Sequence, residues 1–141
     1  MAWAPEGRPE AHGVHCLSPV NLCGYHRVVY VYLTEARVWR GLADPRVEDL
    51  DTSAMQPLDE HSFLCRAGTP AQRRARATSV KASFWDPAHP KRARHTEWFS
   101  GAGAVCVQHW IDVFDGNWPC GRNQSRPQRV FPEHIVSPTS Q

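Results

Sequence analysis

The chain has 141 residues, including 12 Pro and 9 Gly, and a formal net charge of +2 at pH 7. That is room for one modest domain, and the near-neutral charge argues against a wholly disordered chain. Leu, Ile, Val and Phe number only 7, 2, 13 and 5, so any core must lean on the six Trp and three Tyr as well. The longest apolar run, Val28 to Leu33, is far too short to span a bilayer. Met1 to Pro19 lacks the continuous apolar stretch of a secretory leader. The expected location is therefore intracellular, cytoplasm or nucleus, with no membrane partner. Five Cys without tight spacing suit reduced thiols in such a compartment.

Residues 1–26 read as an irregular segment containing His and Cys, broken by Pro5, Gly7, Pro9, Gly13, Pro19 and Gly24. Residues 27–118 read as the single domain. Its best strand is Val28-Val29-Tyr30-Val31-Tyr32-Leu33, β-branched or aromatic almost throughout and apolar on both faces, hence central. Val38 and Trp39 either return as a second strand or belong to a short helix from Glu35 to Arg40. Residues 41–61 hold Asp44, Glu48, Asp49, Asp51, Asp59 and Glu60 against Arg46 alone, with Pro45 and Pro57 among them. They read as an exposed acidic loop.

Thr69-Pro70-Ala71-Gln72 has the form of a capping box and predicts a helix from Pro70 to about Ala82. A second helix, Gly101 to Asp115, is predicted from Ser100 as cap and from Val107, Trp110, Ile111 and Phe114 as an apolar stripe. Residues 119–141 read as a Pro-rich extended tail. The expected class is α+β: a small irregular domain with one central strand pair, one or two short helices, high loop content and partly disordered termini.

Three groups of residues invite a chemical reading. His12, Cys16, Cys23 and His26 offer pairs with the spacing of a zinc knuckle, and zinc would stabilise a loop-rich segment; no other cofactor is suggested. Residues 66–99 carry eight basic and two acidic side chains. Within them Arg73, Arg74 and Arg76 form one cluster. Lys91, Arg92 and Arg94 form another, close to Trp98. Clustered Arg with nearby aromatics can grip phosphates and stack on bases. The competing account is internal pairing with the acidic segment upstream, which carries much of the chain's negative charge. Lastly, His109, Asp112 and Asp115 share a helix flank away from the apolar stripe, and ordinary amphipathicity makes that a solvated polar face.

No motif of an enzyme is evident: there is no phosphate loop, no nucleophile elbow and no His-Glu-x-x-His. The expectation is a non-enzymatic binding protein that contacts nucleic acid or an acidic protein surface through Arg73, Arg74, Arg76, Lys91, Arg92, Arg94 and Trp98. The alternatives are a zinc-stabilised interaction adaptor and a weakly constrained reading frame without selected function.

Overall fold

The computed structural model describes residues 15–18, 27–61, 70–89 and 93–118. Seven strands and one helix follow in chain order: β1 (Cys16–Leu17), β2 (Val28–Leu33), β3 (Val38–Leu50), β4 (Met55–Glu60), β5 (Gln72–Ala77), β6 (Ser79–Trp85), β7 (His95–Ser100) and α1 (Gly101–Phe114). Five strands form one antiparallel sheet in the order β1-β2-β3-β6-β7, and β4 pairs with β5 in a separate two-stranded sheet. This is a mainly β protein with one helix among the described residues. The expected small irregular α+β domain is corrected accordingly: regular antiparallel pairing replaces most of the predicted loop.

β2 coincides with the predicted strand and lies between β1 and β3, so both of its edges are paired, and the four residues from Val29 to Tyr32, which alternate between its faces, are all buried. The turn at 34–37 returns the chain into β3, which settles the ambiguity over Val38 and Trp39 in favour of strand. β3 then runs on through the first half of the presumed acidic loop, and β4 takes up its second half. Two register shifts, between Ala43 and Arg46 and between Val47 and Asp49, let the long strand carry Pro45 without breaking its pairing to β6. Its acidic side chains from 48 to 49 point to solvent, which is why they read as loop.

The predicted helix over residues 70–82 is instead β5, the residue Thr78, and β6. Period two governs β5: Arg73 and Ala75 are exposed, whereas Arg76 is buried and pairs in register with Gln56. A helix here would have left four basic residues around too thin an apolar face to hold it.

α1 falls where the periodicity places it. It lies on the sheet face made by Val29, Val31, Leu42, Val80, Ala82, Phe84 and Phe99, against which Ala104, Cys106, Val107, Trp110 and Ile111 pack. Gly116, at φ +77°, ends it in a conformation only glycine adopts without strain. Gln108 binds the helix to the second sheet: its Oε1 accepts from the Ala77 amide at 2.9 Å, and its Nε2 donates to the Ala77 carbonyl at 2.8 Å. Gln108→Leu leaves both backbone groups unsatisfied, and a loss of about 2–4 kcal/mol is expected in urea denaturation.

Gly41 is required for a different reason. A Cβ there would stand 2.8 Å from Tyr30 Cε1 and 2.9 Å from Pro87 Cγ, both parts of rigid rings. Gly41→Ala is expected to cost about 1–3 kcal/mol, read from its denaturation midpoint. No helix among the described residues is long and apolar enough to cross a membrane.

Candidate functional site: a buried carboxylate–imidazole pair

The last residue of β4, the end of β5 and the centre of α1 converge on one charged cluster. Glu60 and His109 are each 0% exposed. His109 Nδ1 stands 2.9 Å from Glu60 Oε1. Arg76 holds the same carboxylate with two bonds, Nε to Oε2 at 2.7 Å and Nη2 to Oε1 at 2.8 Å. Its remaining nitrogen, Nη1, donates to Asp112 Oδ2 at 2.6 Å. The result is a hydrogen-bonded row, Asp112–Arg76–Glu60–His109, in which the guanidinium lies between two carboxylates and the imidazole ends the row.

Burial pushes the Glu60 carboxyl up, but the hydrogen bonds from His109 and Arg76 and the guanidinium charge outweigh it, and its pKa lies below the ordinary glutamate value. Burial likewise disfavours the Arg76 cation, yet its bond to Glu60 and the two carboxylate charges hold its pKa above the usual value. Both groups stay ionised at neutral pH.

Aromatic rings enclose the imidazole. Trp118 meets His109 edge-on with centroids 4.4 Å apart, and Trp110 lies 5.8 Å away in a similar attitude. Arg74 anchors Trp118 from outside: its guanidinium carbon is 4.9 Å from the indole centroid, and Nη2 donates to the Asn117 carbonyl at 2.8 Å.

An imidazole whose second nitrogen faces a carboxylate is the usual arrangement behind a metal-bound histidine. The helix that builds such a centre carries His-Glu-x-x-His, with two imidazoles one turn apart. Here the same stretch reads His109-Trp110-Ile111-Asp112-Val113. Among the described residues no group of three His, Cys, Asp or Glu side chains stands close enough to hold an ion. The residues around His109 do not fit a metal.

The residues singled out from the sequence are distributed differently. Arg73 pairs with Asp59 at 3.2 Å on the surface. Arg74 and Arg76 both reach Asp112, and Arg76 also holds Glu60. Arg94 fills the bulge of β3, donating to the Asp44 and Ser83 carbonyls at 2.6 and 2.8 Å and to the Asp44 carboxylate at 3.2 Å. Internal pairing with the acidic segment thus engages Arg73, Arg76 and Arg94, while Arg74 pairs with Asp112 of α1. Trp98 is 53% exposed and lies across from Lys81 in the larger sheet, on a different element from Arg73, Arg74 and Arg76. Lys91 and Arg92 lie outside the described residues. So do His12, Cys23 and His26; Cys16, the remaining member of the zinc set, is buried in the core opposite Val31.

Sequence reasoning noticed His109 and Asp112 but assigned them to a solvated flank. The structure corrects this: every residue from Ala104 to Ile111 is buried. The available signal was Ala104-Val105-Cys106-Val107, apolar all round rather than along one stripe, which marks a helix covered on more than one side. Glu60 carried no signal of its own, since nothing in its neighbourhood distinguishes it from the exposed acids before it.

The sequence matches no protein-family model and no curated protein. The fold is another matter. Class I type b peptide deformylase from Acinetobacter baumannii, bound to K1U, aligns with TM-score 0.57 at 17% identity over 77% of this chain and 68% of its own. The same enzyme bound to Met-Ala-Ser gives 0.56 at 16% identity over 77% and 69%. A peptide deformylase from Legionella pneumophila gives 0.55 at 18% over 76% and 59%. The chain spans between 54% and 69% of the length of the deformylases it matches. It has a peptide-deformylase fold. An enzyme's architecture overturns the expectation of a non-enzymatic binding protein, which rests on the Arg-rich segment and the lack of enzyme motifs.

Proposed function

We propose that this chain acts on the amino-terminal end of peptides, hydrolysing an amide there with His109 as the group that moves the proton. Two things support the reading. One is a fold similar to that of peptide deformylases, one of which holds Met-Ala-Ser. The other, which carries it, is the 2.9 Å contact between Glu60 and His109.

A carboxylate on Nδ1 fixes the tautomer, because Nδ1–H donates to Glu60 and the basic lone pair is left on Nε2. That nitrogen takes a proton from water as its oxygen attacks the formyl carbon of a formylated peptide. It then returns the proton to the departing nitrogen as the C–N bond breaks, giving formate and a free amine. Arg76 keeps Glu60 ionised and in place, and Asp112 keeps Arg76 in place. Trp118 covers the imidazole in the resting chain, so catalysis requires that indole to give way to the substrate. The reading uses no cofactor.

The test is release of free amine from formyl-Met-Ala-Ser by the full chain. His109→Asn should lower the rate by about 10²–10⁴-fold while the chain stays folded by circular dichroism. Trp98→Ala, remote from the cluster, should leave the rate unchanged. Absence of turnover by the wild-type chain, or full turnover by His109→Asn, rejects the proposal.

A further inference from the structure

The His109 centre has the carboxylate backing of a metal ligand but not the surroundings of one. With Nδ1 committed to Glu60, only Nε2 could reach an ion, and the ion would need its next ligand one helical turn on. That position is Val113, and Trp118 packs against it. The indole also lies against the imidazole, with ring centroids 4.4 Å apart. It is only 8% exposed, and Arg74 holds it through the ring and through the Asn117 carbonyl. Zinc and its neighbours in the first transition row require several nitrogen, oxygen or sulfur donors, and an aliphatic chain and an indole face supply none.

We infer that Val113 and Trp118, clamped by Arg74, form an apolar plug beside His109, and that this centre takes no divalent metal. The charge balance agrees: Arg76, at 2.6–2.8 Å from both carboxylates, and Arg74, at 3.5 Å from Asp112, together neutralise Glu60 and Asp112, so no further cation is needed there. The inference concerns the ground state of the centre and does not rest on what the substrate is.

Metal content of the full chain, purified from medium supplemented with zinc, iron and cobalt, is the first measurement. Wild type and His109→Asn should carry the same amount, whether none or an ion held elsewhere. A stoichiometric ion present in wild type and lost in His109→Asn overturns the inference. The second measurement is Co²⁺ titration followed by tryptophan fluorescence, since Trp118 and Trp110 flank His109. Wild type should show no saturable quenching that depends on His109. Val113→His, which places two imidazoles four residues apart on one helix, should gain it. A folded Val113→His that stays silent overturns the role given to Val113. Neither measurement reads peptide hydrolysis, so this inference and the proposed activity can fail separately.

Discussion

Arg76→Met should destabilise the folded chain by about 3–5 kcal/mol, a fall in Tm of roughly 10 °C. The methionine fills much of the same space, so the loss is electrostatic. Glu60 keeps its bond to His109 but loses both bonds to the guanidinium, and Asp112 loses its partner at 2.6 Å. Removing one member of a buried pair leaves the other charge without compensation, and this costs more than the pair contributed when complete. Thermal melts of the two proteins at pH 7 provide the comparison.

The pH dependence separates this cause from lost packing. In wild type the folded pKa of Glu60 lies below its ordinary value of 4.5. Its contribution to stability is therefore complete above that value and is lost as pH falls toward and through the folded pKa. In Arg76→Met the buried carboxylate lacks its cation, and protonation relieves it. The difference in Tm between the two proteins should shrink as pH falls below 4.5. A difference that stays constant with pH would assign the loss to packing.

Trp110→Ala should cost about 3–5 kcal/mol for a different reason. Trp110 is 2% exposed and lies in the main core, with Phe114 at 5.5 Å between ring centroids and His109 at 5.8 Å. Truncation opens a cavity against a regular sheet whose strands cannot close it by moving independently. Chemical denaturation should show a lower midpoint with an unchanged slope, because the surface exposed on unfolding is nearly the same. A loss below about 1 kcal/mol would mean that the helix settles onto the sheet and fills the gap.

β2 and α1 were legible in the sequence because each repeats its own pattern over enough residues: an unbroken β-branched and aromatic run in one, a four-membered stripe in the other. β5 and β6 were not. Thr69-Pro70-Ala71-Gln72 is a sound local signal for a helix start, and it lost to cross-strand pairing with β4 over six residues and with β3 and β7 beyond. Local preferences of a few tenths of a kcal/mol per residue yield to such tertiary pairing. The acidic stretch misled for a related reason, since exposed carboxylates on a strand and on a loop look the same in one dimension.

By itself, then, the sequence determined the central strand, the helix α1 with its apolar stripe, and the charge asymmetry that made basic and acidic segments partners. Those are short-range matters, set by side-chain volume and by the period of the backbone. Only the tertiary structure decided that Glu60 and His109 meet. They stand 49 residues apart on different elements. Their contact exists because the β4–β5 pair and α1 close over the same patch of core. That closure also turned Arg76 from a surface cation into the buried group holding the pair in place.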